Sequence, residues 1–120
     1  MSDDGLGSLE YAIAVLKTPL IMVLGHDSCG AVNAAVKMEK DNESYPGQIQ
    51  MIAKTLTPAV QKMLKQSGNL LDNAIQQNVI DNVNKLKSSS KILSEAVDQK
   101  KLMIIGGVYK LDTGKVKLVL

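Results

Sequence analysis

Two side chains in this sequence can ligate a soft metal ion: His26, its only histidine, and Cys29, its only cysteine. They are separated by two residues in Gly25-His26-Asp27-Ser28-Cys29-Gly30-Ala31. At this spacing one imidazole nitrogen and one thiolate can reach the same Zn²⁺. Asp27, between them, can orient the imidazole as a hydrogen-bonding partner of a ligand, or close an Asx turn. Zinc takes three or four protein ligands, so the spacing alone leaves an ordinary strand-to-helix turn as open as a metal corner. Ser28 has neither a base nor an oxyanion hole suggested nearby, which argues against a serine nucleophile.

The elements that must position this turn follow from the flanking pattern. Leu20-Ile21-Met22-Val23-Leu24 is a continuous apolar run, expected as a strand covered on both faces, as in parallel sheets. The turn would then lie at the C-terminal end of a strand, where open α/β sheets place their sites, with Gly25 and Gly30 expected to let the chain turn. Apolar residues at helical spacing predict helices over Leu6–Leu16, Gly30–Met38, Gln48–Lys65, Leu70–Leu86 and Lys91–Val97. Asp3 or Asp4 is expected to cap the first of these, and Pro19 to stop it. Pro58 is expected to break or bend the third, and Ser88-Ser89-Ser90 to end the fourth and cap the fifth. Leu102–Tyr109 reads as a second strand whose two glycines mark close packing or a bend. Leu111–Lys115 reads as a hairpin turn and Lys115–Leu120 as a half-exposed edge strand. The expectation is one α/β domain over residues 1–120, a short, mainly parallel sheet flanked by helices.

Composition narrows the partners. Apolar residues make up 45% and charged residues 22%, ordinary values for a globular domain. With three Tyr, no Phe and no Trp, the core must be aliphatic, and no aromatic platform exists for stacking single-stranded nucleic acid. The net charge of +2 is spread over scattered lysines, which gives no footprint for nucleic acid or an anionic membrane. All 14 basic residues are Lys, so guanidinium recognition of carboxylate or phosphate is absent. No apolar run is long enough for a membrane-spanning helix, and the acidic, Gly-rich residues 1–8 do not read as a signal peptide. The expected compartment is the cytoplasm. Tyr11 and Tyr109 read as packing residues.

Several stretches resemble the β-class carbonic anhydrases: Asp3–Ala12 (Asp-Asp-Gly-Leu-Gly-Ser-Leu-Glu-Tyr-Ala), Pro19–Leu24 followed by Gly25–Val32, Asn78-Val79, Ser89-Ser90, Gly106-Gly107-Val108-Tyr109 and Asp112–Val116. The resemblance covers most of the chain and is weakest over Lys37–Lys65. It implies zinc-dependent reversible hydration of CO₂ to bicarbonate, with zinc-bound hydroxide attacking the carbon. It also implies zinc held by two Cys and one His. His26 and Cys29 match two of those ligands, and Asp27 is a candidate for the surrounding shell. The family's first zinc cysteine lies in a Cys-x-Asp-Ser-Arg motif on an earlier strand, and its aspartate and arginine form a pair beside the metal. These 120 residues contain no such motif, no second cysteine and no arginine. The chain therefore resembles a β-carbonic anhydrase core without its first two strands, and no catalytic residue is assigned.

Three readings follow: a carbonic anhydrase by descent, impaired as this chain alone; a non-catalytic zinc protein, in which a dimer could pool two His26 and two Cys29; and a metal-free protein that keeps the fold for an interaction. The absent strand would leave Leu20–Leu24 with an unpaired edge and a bare face. A homodimer or higher assembly covering that stretch is therefore expected.

Overall fold

The computed structural model describes residues 1–120, and the expected order of elements is present. Five helices, α1 (Asp3–Ala14), α2 (Gly30–Asp41), α3 (Gln48–Met63), α4 (Leu70–Ser89) and α5 (Lys91–Asp98), accompany three strands, β1 (Leu20–His26), β2 (Met103–Tyr109) and β3 (Val116–Leu118). The sheet order is β1-β2-β3. β1 and β2 are parallel, in register from Leu20 beside Met103 to His26 beside Tyr109. β3 returns antiparallel to β2, with Tyr109 beside Val116. The hairpin closes through two 2.8 Å backbone bonds, Lys110 N–H to Lys115 C=O and Gly114 N–H to Lys110 C=O. Gly114 takes the positive φ of +71° that the turn requires. No helix is long and apolar enough to cross a membrane.

One helix carries the sheet. The apolar stripe of α4, Ala74, Ile75, Val79, Val83 and Leu86, is buried, and α4 packs directly on β1 and β2. Two glycines permit the close approach. A Cβ on Gly25 would lie 2.8 Å from a Val79 methyl, and one on Gly106 would lie 2.6 Å from the other. The strand glycines thus mark close packing, one of the two outcomes expected for Gly106. On the far side of α4 lie α3 and α2, and α1 rests on α5. The core is aliphatic, with Leu93, Val60, Val79 and Val83 the largest side chains fully withdrawn from water.

Four expectations need correction. The cap of α1 is Ser2, whose hydroxyl accepts the Gly5 N–H at 3.2 Å; Asp3 and Asp4 occupy the first turn, where carboxylates favour the positive helix end. Pro58 does not break α3. The carbonyl its missing N–H would have paired belongs to Lys54, and the Thr57 hydroxyl donates to it at 2.8 Å instead. α2 runs past Met38 to Asp41, where Asn42 ends it in the left-handed region. Finally, β1 is covered on one face only. Ile21 is buried against the helices, while Leu20, Met22 and Leu24 are exposed. An apolar run records that both faces are apolar, but it does not supply the second layer.

Ser90 behaves as expected. It caps α5 by accepting the Leu93 N–H, and it also donates to the Glu10 carboxylate at 2.7 Å, joining α1 to the α4–α5 junction.

Candidate metal-ligand turn

Strand alternation places His26 on the exposed face of β1, in line with Leu20, Met22 and Leu24. Its neighbour in register is Tyr109, the last residue of β2. The Asp27 N–H continues the ladder by donating to the Tyr109 carbonyl at 3.1 Å. The chain then reverses at Ser28, which adopts φ +56°. The turn is therefore made by Ser28. Neither Gly25 nor Gly30 has a positive φ; Gly25 serves the packing against α4, and a Cβ on Gly30 would meet open space.

Cys29 is the N-cap residue of α2, with extended φ −65° and ψ 116°. Its carbonyl accepts the Asn33 N–H at 3.0 Å, the first bond of the helix. Its side chain makes no capping bond and is half-buried against the core. The thiol is left uncommitted at a helix N-terminus, where the partial positive charge favours a thiolate.

The imidazole is oriented. His26 Nδ1 lies 2.9 Å from the backbone carbonyl of Asp27. A carbonyl only accepts, so Nδ1 carries the proton and Nε2 presents the lone pair. Asp27 thus holds the ring through its main chain. Its carboxylate does a separate job: Oδ1 accepts the Leu111 N–H at 2.9 Å and ties the end of β1 to the β2–β3 hairpin. The roles of Leu111, Tyr109 and Ser28 carried no signal in the sequence, because each depends on a contact between distant segments or on a single φ.

Geometry thus supplies two soft donors, His26 Nε2 and Cys29 Sγ. No group of three or more His, Cys, Asp and Glu side chains that could hold a metal ion is gathered anywhere in the structure. Zinc centres use three or four protein ligands, so these residues form part of a donor set and do not complete one. A cleft of about 430 Å³ between α1 and α5 lies at the other end of the strands, lined by Ile13, Lys17, Ile92 and Lys101 among others; it contains no His or Cys.

Comparison with known proteins gives the turn its context. The sequence profile of carbonic anhydrase matches residues 1–116. Carbonic anhydrase 2 of Mycobacterium tuberculosis H37Rv is 39% identical over 113 residues, which is 94% of this chain and 55% of that protein. The carbonic anhydrase of Mycolicibacterium smegmatis is 37% identical over the same shares. The chain therefore spans about half the length of these relatives. Among solved structures, the Coccomyxa β-carbonic anhydrase in complex with acetazolamide superposes with a TM-score of 0.75 at 27% identity, over 94% of this chain and 52% of that one. Tetrameric β-carbonic anhydrases of Sordaria macrospora share the fold, with a TM-score of 0.77 at 19% identity over 98% and 60%. With its α/β fold and most of its length matched in this way, the chain belongs to the β-carbonic anhydrase family.

Proposed function

We propose that this chain is the half of a β-carbonic anhydrase that carries two of the zinc ligands, His26 and Cys29, and that these 120 residues alone do not hydrate CO₂. The family relation supports CO₂ and bicarbonate as the substrate class and Zn²⁺ as the metal. The observation that carries the second clause is the donor count: a single imidazole and a single thiolate, with no further carboxylate or thiol beside them. Within this reading Asp27 is a positioning residue, fixing the imidazole so that Nε2 faces outward. The proposed compartment is the cytoplasm, where an unpaired thiol such as Cys29 stays reduced.

The test is stopped-flow CO₂ hydration on the 120-residue chain with added Zn²⁺, beside His26→Ala and Cys29→Ser. The expected result is the uncatalysed rate in all three. A wild-type rate above background that both substitutions abolish would overturn the proposal, because two ligands would then have sufficed or found a third.

A further inference from the structure

Apart from the metal-ligand turn, the most unusual feature of the molecule is the open face of its sheet. Register places Leu20, Met22 and Leu24 of β1 beside Met103 and its face-mates on β2, with Val116 and Leu118 of β3 completing the surface. Exposure reaches 52% at Leu24, 62% at Met103 and 61% at Leu118. None of the three strands puts Lys, Asp or Glu on this face; Lys117, the one charged strand residue, alternates to the other side. All the packing of helix on sheet comes from α4, on the opposite face.

The surface as a whole agrees. A folded monomer of 12.9 kDa is expected to expose about 6,300 Å², whereas the chain exposes 7611 Å². The excess of about 1,300 Å² exceeds the roughly 800 Å² that each partner buries in a standard interface. The radius of gyration is 15.6 Å, against about 13.6 Å for a compact domain of this length.

We propose that a second copy of this chain covers the face, the two three-stranded sheets packing against each other about 10 Å apart. The face is self-compatible because it is apolar and uncharged, so two copies meet without like-charge repulsion. Pairing of two β1 edges in one plane is the weaker solution: it satisfies backbone groups that water already satisfies, and it leaves a wider apolar face in solvent. Face-to-face packing removes the apolar surface itself. The inference rests on the fold and is independent of the CO₂ reading.

Sedimentation equilibrium of the 120-residue chain, at about 50 µM and in tenfold dilutions, tests it. The expected mass is about 26 kDa, twice 12.9 kDa. Leu24→Lys on β1 and Leu118→Lys on β3 should each weaken the dimer about tenfold or more, while Ile49→Lys, on an exposed apolar position of α3, leaves it unchanged. Circular dichroism establishes that each variant is folded; if Leu24→Lys is not, Leu118→Lys on the short edge strand carries the comparison. A wild-type mass of 12.9 kDa at 50 µM, a mass above the dimer, or lysine variants that associate like wild type would each overturn the proposal.

Discussion

Gly106→Ala should be among the costliest single-methyl additions in this protein, and Val79 should account for most of the cost. The added Cβ would stand 2.6 Å from Val79 Cγ1 and 3.1 Å from Val83 Cγ2, both on side chains that are fully or almost fully buried. Neither valine has a free rotamer to escape into, so α4 must lift from β2 or the methyls must compress. Overpacking of this kind costs about 1–3 kcal/mol. The chain-entropy gain of Gly→Ala offsets about 0.4–1 kcal/mol, leaving a net loss of about 1–2 kcal/mol. Val79→Ala alone should lose about 2 kcal/mol of buried apolar contact. The two changes relieve each other, because Val79→Ala vacates the space the new methyl needs. The double variant should therefore be about 1 kcal/mol or more better than the sum of the singles. Urea unfolding followed by circular dichroism at 222 nm reads all four species. Gly25→Ala, whose Cβ would meet the other Val79 methyl at 2.8 Å, should show the same rescue and carries the effect to the strand residue next to His26. Strict additivity, or a Gly106→Ala variant as stable as wild type, would refute the close-approach argument.

Other expectations follow from single contacts. Ser90→Ala removes the α5 cap and the bond to Glu10, and should cost about 1–2 kcal/mol in the same urea assay; an unchanged midpoint would contradict the capping role. Asp27→Ala frees the Leu111 N–H, so exchange of that amide with deuterium should accelerate severalfold while amides of α4 keep their protection. Tyr45 ionises above its ordinary 10.0, through desolvation, the hydrogen bond its hydroxyl donates to Glu43 and the charges of Glu43 and Asp41. Its contribution to stability is therefore present below pH 10 and lost as pH rises through the folded value. Glu43→Gln should shift part of the phenolate absorbance titration to lower pH, and an identical curve would contradict the assignment.

Where side-chain pattern is set by burial, the sequence was informative. The stripe on α4 and the apolar runs of β1 and β2 are visible because each must face the core at a fixed period. What depends on a local exchange of hydrogen bonds was not visible. Thr57 takes over the Lys54 carbonyl, and nothing in the composition around Pro58 distinguishes that from a broken helix. Glycine was ambiguous in the same way: Gly25 looked like turn chemistry but serves the approach of Val79, and the turn fell to Ser28. His26 and Cys29 stood out by residue type alone. That the ring is held by the Asp27 carbonyl, with Nε2 left free, required coordinates. The bare face of β1 was only half legible, since apolar residues on both faces say that a cover is needed and not what provides it.

The measurement that bears most directly on the half-site is zinc content per chain, by equilibrium dialysis against a weak chelator followed by elemental analysis, with CO₂ hydration assayed on the same sample. The account predicts well under one zinc per chain retained and no hydration above the buffer rate, because two ligands do not hold the metal against a competitor. One zinc per chain retained through dialysis, with hydration that is lost in His26→Ala, would contradict it.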